Sequence, residues 1–345
     1  MAKIDALLKM ILEYGASDLH VCVGEPPLLR IDGQLQRTKY HDLAPEEVEL
    51  LLMEMLDEKT LALLKAKKDI DFAYELEGVA RFRGNIFLER NGYGGAFRVI
   101  PTAIKTLREL GIPEVVYSLA RLKKGMVLVT GATGSGKSTT LAAMIDLINK
   151  EKNAHIITLE DPIEFIHPKG KCLIHQRQLG FHMESFTSGL KAALREDPDV
   201  ILVGEMRDLD TIQLALTAAE TGLLVLGTLH TSSAPKTVDR IIDVFPTSQQ
   251  SQIRTMLAES LRGVVSQSLL RRADRKGRIA AVEVMVCNGA IQNLIREGKT
   301  FQIVSVMQTG KNIGMQPMAD HIKKMLNDGV ITQEEADIYA SRIEG

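Results

Sequence analysis

Residues 131–138 read Gly131, Ala132, Thr133, Gly134, Ser135, Gly136, Lys137 and Ser138, the spacing G-x-x-x-x-G-K-S that builds a phosphate-binding loop. Glycines at these places let successive backbone N–H groups converge on phosphate oxygens, and the helix N-terminus that follows adds partial positive charge. Lys137 is expected to reach the β- and γ-phosphates, the Ser138 hydroxyl to ligate Mg²⁺, and Thr139 to complete the loop. The apolar run from Met126 to Thr130 reads as the preceding strand, and a helix is expected to start near Ser138. The chemistry this pattern supports is binding of a nucleoside triphosphate.

Acids follow at two strand-like runs. Asp199 to Val203 is apolar after its first residue and leads into Gly204 and Glu205. Many phosphate-loop enzymes carry an Mg²⁺-associated aspartate at the place of Gly204, so Glu205 is expected to take that acidic role. Ile156 to Leu159 leads into Glu160, Asp161, Pro162, Ile163 and Glu164. Ligand sites of open α/β sheets lie at the carboxyl ends of strands, which makes these carboxylates candidates for orienting water or supporting the metal. Glu164 is the expected water-positioning residue and Glu205 the metal or outer-sphere support, with the division between them open. Gly227 to Thr231 ends a further strand with His230, a candidate sensor of the γ-phosphate. The other histidines show no metal-ligand spacing.

The elements that must position these residues divide into two sets. Near the start, Ile4, Leu7, Leu8, Ile11 and Leu12 recur at the spacing of one helical face. Strands are expected around Leu19 to Val23 and Leu28 to Ile31, the second followed by an Asp32-Gly33 turn. Pro45, Glu46 and Glu47 read as a helix start, with Leu50, Leu51, Met55, Leu61 and Leu64 facing the core. Strands over 71–75, 80–88 and 95–100 follow, the last turn being placed at Asn91 to Gly95. Residues 1–100 thus read as a small α+β domain and residues 101–113, bracketed by Pro101 and Pro113, as a linker. From 114 to 345 short apolar strands alternate with helical stretches. That pattern predicts a mostly parallel sheet covered by helices, with an amphipathic helical segment from about residue 286.

These pieces, in this order, resemble the hexameric secretion ATPases of type II secretion, type IV pili and related machines. Gly131 to Ser138 is similar to that family's Walker A loop, Leu159 to Glu164 to its aspartate box, Asp197 to Asp208 to its Walker B region, and Leu226 to Thr231 to its histidine box. The segment Ala16 to His20, with Gly24, Pro26, Pro27 and Arg30, is also of the family's kind. The resemblance implies a small N-terminal α+β (PAS-like) domain and a RecA-like ATPase domain, with ATP and Mg²⁺ as ligands. It also implies a homohexamer acting with an inner-membrane pilus platform protein and the pilus machinery. Within the family the pilus-retraction branch fits best. The chain lacks the long N-terminal extension and paired-cysteine insert of the extension and secretion motors, which are the alternative. Its Gly289 to Glu297 resembles that branch's AIRNLIRE segment, with Gln292 where the motif has arginine. Ala290, Ile291, Leu294 and Ile295 share a helical face, open to a core-facing or a partner-binding reading. A ring implies an arginine supplied in trans. Arg81, Arg83 and Arg98 are the candidates, with Arg195, Arg207 and Arg240 behind them.

Composition bounds the alternatives. The 345 residues carry 42 Lys and Arg against 44 Asp and Glu, for a net charge of −2. With 4% aromatics and no tryptophan, a nucleic-acid translocase would have few stacking platforms, so no stable nucleic-acid partner is expected. The only dense basic run, Arg271 to Lys276, reads as a solvated loop. Three scattered cysteines give neither a disulfide framework nor a zinc site. The charged start is unlike a signal peptide, and no apolar run is long enough to span a bilayer. The expected location is cytoplasmic, peripheral at the cytoplasmic face of the inner membrane.

Overall fold

The computed structural model describes residues 3–31, 33–100 and 103–344, with side chains through residue 340. Pro101 and Thr102 of the expected linker, and Asp32 of the expected turn, lie outside the described residues. The chain forms two compact units: residues 1–103 with 162–166, and residues 104–161 with 167–345.

The first unit contains α1 (Ile4–Glu13), β1 (Asp18–Val21), β2 (Leu28–Ile31), β3 (Gln34–Arg37), α2 (Pro45–Met53), α3 (Glu58–Lys67), β4 (Asp69–Leu76), β5 (Ala80–Glu89) and β6 (Gly92–Ile100). Its sheet runs β3-β2-β1-β6-β5-β4, every neighbouring pair antiparallel. Ile4, Leu7, Leu8 and Ile11 bury the face of α1 as their spacing predicts, whereas Leu12 is exposed. Leu50 is exposed too, and Leu52 takes its place in the core. The last turn differs from expectation. Glu89 pairs with Gly92, so Arg90 and Asn91 make the connection and the glycines after them lie within β6. Packing explains their type: a Cβ on Gly94 would meet the Phe87 ring at 2.9 Å, and one on Gly95 would meet Leu52 at 2.7 Å.

The second unit contains α4 (Val115–Ala120), β7 (Gly125–Thr130), α5 (Lys137–Glu151), β8 (His155–Glu160), β9 (Leu173–Gln178), α6 (Phe186–Ala193), β10 (Val200–Val203), α7 (Leu209–Glu220) and β11 (Leu224–Leu229). Helices α8 (Ala234–Asp243) and α9 (Thr247–Ser260) lead to β12 (Leu261–Arg271), β13 (Arg278–Val286), α10 (Gly289–Arg296), α11 (Ile303–Thr309), α12 (Met318–Asn327) and α13 (Gln333–Glu344). The sheet order is β13-β12-β7-β11-β10-β8-β9. Six of these strands are parallel and β13 alone is antiparallel to its neighbour. Strands β7, β10 and β11 are fully buried, with core on both faces, which is why they read as unbroken apolar runs. Since β7, β11, β10 and β8 run the same way, their carboxyl ends share one edge of the sheet. In α10, Ile291 and Ile295 are fully buried and Leu294 partly so, while Ala290 is exposed. The helix therefore packs against the core, capped by Asn288, whose Oδ1 accepts the Ile291 N–H at 3.0 Å.

Candidate active site

The sheet edge is built from four strand ends. After β7, the loop 131–136 leads straight into α5, whose first residue is Lys137. Gly131 and Gly136 adopt φ of +141° and +89°, values that favour glycine. Space also excludes a side chain at Gly131, because a Cβ there would lie 2.3 Å from the Gln267 carbonyl oxygen and 2.6 Å from Ser135 Oγ. The Lys137 ammonium donates to the carbonyls of Gly131 (2.9 Å) and Ala132 (3.1 Å), which holds it over the loop. Ala132, Thr133, Gly134 and Ser138 are exposed, Thr139 is half-buried, and Ser135 is buried with its hydroxyl lacking a protein partner. A glycine cradle, an ammonium beside it and an orphaned buried hydroxyl together fit a polyphosphate. Mg²⁺ on a nucleotide takes few protein oxygens besides phosphate, a demand that Ser138 and Glu205 suit.

Glu205 is held by its backbone neighbours. The N–H of Gly204 donates to the Leu159 carbonyl on β8 at 2.7 Å, the Thr228 hydroxyl donates to the Gly204 carbonyl, and the Met206 N–H donates to the Thr228 carbonyl at 3.1 Å. A Cβ on Gly204 would sit 2.8 Å from the Leu159 oxygen. That contact accounts for a glycine where other phosphate-loop enzymes carry aspartate. Glu205 Oε1 then meets two basic side chains of its own chain: His230 Nε2 at 2.9 Å and the Arg207 guanidinium. The carboxylate pushes the Arg207 pKa up through that hydrogen bond. Arg207 is thus engaged within its own unit.

Glu164 belongs to the first unit, as does the whole segment Pro162–Ile166. There it lines a cavity of about 370 Å³ together with Glu75, Val79 and Arg81. Glu160 accepts from the Thr158 hydroxyl at 2.6 Å and remains in the second unit. The three N-terminal arginines share one face of the first sheet: Arg83 and Arg98 are cross-strand partners, and Arg81 lies two residues along β5. Arg98 Nε donates to Asp18 Oδ1 at 2.7 Å, and Arg83 lies 3.7 Å from Asp71. Burial pushes the Asp18 pKa up, yet hydrogen bonds from Ser17 and Arg98 outweigh it and leave the pKa lowered.

On the other side of the phosphate loop lies a cavity of about 920 Å³ lined by Gly136, Thr139, Thr140, Gln267, Leu269 and a basic wall. That wall comprises Lys105, Arg108, Arg272, Arg275, Lys276 and Arg278. The basic run 271–276 is largely solvent-exposed, as a solvated loop would be, and in connecting β12 to β13 it also brings Arg272, Arg275 and Lys276 to this cavity.

A family model described as type II/IV secretion system protein matches residues 1–338. The chain belongs to this family. It is 49% identical over 333 residues to the type IV pilus retraction ATPase PilT of Pseudomonas aeruginosa, covering 96% of both chains. It is also 50% identical over 318 residues to a twitching motility protein of Neisseria gonorrhoeae, covering 92% of this chain and 85% of that one. Among solved structures, the pilus retraction motor PilT with bound ADP matches at TM-score 0.90 and 46% identity, over 97% of this chain and 96% of that one. The ATPase DotB of Legionella pneumophila matches at TM-score 0.83 and 29% identity, over 98% of this chain and 95% of that one. Within the secretion ATPases, this chain is of the pilus-retraction kind.

Two groups beside the phosphate loop escaped the sequence reading. One is the basic wall, whose Lys105, Arg108 and Arg278 come from separate segments. The other is Gln267, buried in β12 at 3% exposure; flanked by Ser266 and Ser268, it left no signal in the sequence. Among the described residues, no cluster of three or more His, Cys, Asp or Glu forms a metal site, and no helix is long and apolar enough to cross a membrane.

Proposed function

We propose that this chain works as a homohexameric ATP-hydrolysing motor that powers type IV pilus retraction, and with it twitching motility. It would act at the cytoplasmic face of the inner membrane on a pilus platform protein. The observation that carries the reading is the meeting of the phosphate loop, Glu205 and His230 along one sheet edge, in a chain 49% identical to a pilus retraction ATPase over 96% of its length.

In this reading the loop amides of Gly131 to Ser138 bind the phosphates and Lys137 neutralises charge that develops on the β- and γ-oxygens. Mg²⁺, when bound, supplies charge neutralisation at those oxygens, and Ser138 with Glu205 would hold it. His230 orients the Glu205 carboxylate and reads the γ-phosphate side. Glu164, carried by the first unit, is the proposed residue for positioning water. Arg81, Arg83 or Arg98 is the proposed donor in trans to a neighbouring subunit's phosphates, since in-line transfer gains roughly 10³ to 10⁵ in rate from such an arginine. The ADP bound in the retraction-motor structure supports a nucleotide ligand for this chain. The basic wall beside Thr139 faces the phosphate loop, which supports a role toward nucleotide.

The deciding experiment is a chromosomal deletion. Cells should keep surface pili, become hyperpiliated and lose retraction as seen by labelled-fibre microscopy. Loss of the pili themselves would point to the extension alternative, and normal retraction would overturn the reading.

A further inference from the structure

Three polar side chains of β12 and β13 are buried: Ser266 at 0%, Gln267 at 3% and Glu283 at 9% exposure. A polar group enclosed this way persists only with partners. Ser266 bonds the Thr130 hydroxyl at 2.9 Å, and Glu283 accepts the Ala234 N–H that opens α8 at 2.7 Å. Gln267 differs from both, because each end of its amide holds a different part of the phosphate site. Its Nε2 donates to the Ser135 carbonyl at 2.7 Å, and its Oε1 accepts from the Thr140 hydroxyl on α5 at 2.9 Å.

A trans peptide directs its carbonyl and its amide N–H to opposite sides. Holding the Ser135 oxygen against β12 therefore turns the Gly136 N–H away from that strand. Gly136 has a free choice of φ, so the loop itself does not fix this peptide. We propose that Gln267 is a positioning residue for nucleotide: its amide pins the 135–136 peptide and the first turn of α5 together, so that the Gly136 N–H is presented to phosphate before phosphate arrives. This rests on the reading of residues 131–138 as the nucleotide site. Free of Gln267, that peptide would flip, and each binding event would have to select one orientation, lowering apparent affinity by the competent fraction.

The test uses full-length protein, a fluorescent N-methylanthraniloyl-ADP titration with Mg²⁺, and thermal melting without nucleotide. One net buried hydrogen bond corresponds to a factor of about two to twelve in an equilibrium. Gln267→Leu loses both and should weaken affinity about tenfold or more. Thr140→Val, a milder change that covers the case of Gln267→Leu failing to fold, loses one and should weaken it about two- to fivefold. Gln267→Glu supplies a readout that a merely structural role would not move. Its carboxylate accepts from Thr140 but cannot donate to the Ser135 carbonyl, whereas its protonated form does both. Burial raises a carboxyl pKa, so the affinity ratio of wild type to this variant should be about tenfold or more at pH 8 and shrink several-fold by pH 6. Wild-type affinity in folded Gln267→Leu or Gln267→Glu at pH 8 overturns the proposal, as does a ratio independent of pH. Lys137→Ala run alongside separates the two failures. If it also binds normally, nucleotide does not sit on this loop and the site reading falls first.

Discussion

The imidazole Nε2 of His230 lies 2.9 Å from Glu205 Oε1, so the residue after β11 and the acid after β10 form one contact at the sheet edge. Two motifs that stand 25 positions apart in sequence are therefore in direct contact. Glu205→Gln should keep nucleotide binding and lose about 10²-fold or more in kcat. His230→Ala should lose less, because it acts through the carboxylate as well as toward phosphate. Combining them should cost clearly less than the sum of their separate effects. Strict additivity in a steady-state ATPase assay would mean the contact is not used in turnover.

Lys137→Ala should abolish hydrolysis, since the phosphate charge loses its nearest ammonium. Residual turnover near wild type, in protein freed of contaminating ATPases, would remove residues 131–138 from the active site.

Gly204→Ala tests the backbone clamp directly. The added Cβ would come within 2.8 Å of the Leu159 carbonyl, a backbone atom that cannot rotate aside. Shifting β10 against β8 should cost about 1–3 kcal/mol of stability and displace Glu205, lowering kcat alongside the melting temperature. A variant with unchanged melting and turnover would show that this strand end has slack.

The arginines make the prediction with most at stake. A variant at whichever of Arg81, Arg83 or Arg98 acts in trans, mixed with Lys137→Ala, should regain part of the hydrolysis that each inactive protein lacks. Some interfaces of a mixed ring would pair an intact loop with an intact arginine. Native mass spectrometry should first confirm mixed oligomers. No recovery with any of the three would assign them to their own sheet, where Asp18 and Asp71 already hold two of them.

His167 gives a pH dependence of stability. Burial lowers its pKa from 6.5 to about 4. A depressed folded value means the unfolded chain binds the proton first, so stability is complete above pH 6.5 and falls as pH drops toward 4. The loss at pH 5 should be about 2 kcal/mol, and His167→Gln should remove it, narrowing the gap in melting temperature between pH 7 and pH 5. An unchanged gap would place the acid sensitivity in other groups.

What the sequence disclosed and what it hid follow one physical rule. Strands buried on both faces, such as Val200–Val203, leave an unbroken apolar run, and the glycine spacing of 131–136 is fixed by backbone geometry. β12 and β13 were missed because polar side chains break their pattern from inside: Ser266 bonds Thr130 of β7, Gln267 the loop and α5, and Glu283 α8. β3 was missed for the opposite reason, since all four of its residues are exposed and no alternation remains to read. The place of Glu164 was not legible because its packing depends on which unit claims a five-residue segment, and local spacing does not encode that.

That segment governs how the molecule can be taken apart. Because residues 162–166 pack with the first unit, the chain passes from one unit to the other three times, and Ile163 and Phe165 are core side chains at 5% and 7% exposure. A gene fragment stopping at residue 103 would omit them, and removing a buried phenylalanine alone forfeits about 3–5 kcal/mol. The N-terminal unit is therefore not a separable module. Swapping it between motors, or expressing it alone, requires carrying a graft from the middle of the ATPase half, and any exchange that respects only the first boundary leaves a hole in one protein and a stranded apolar loop in the other.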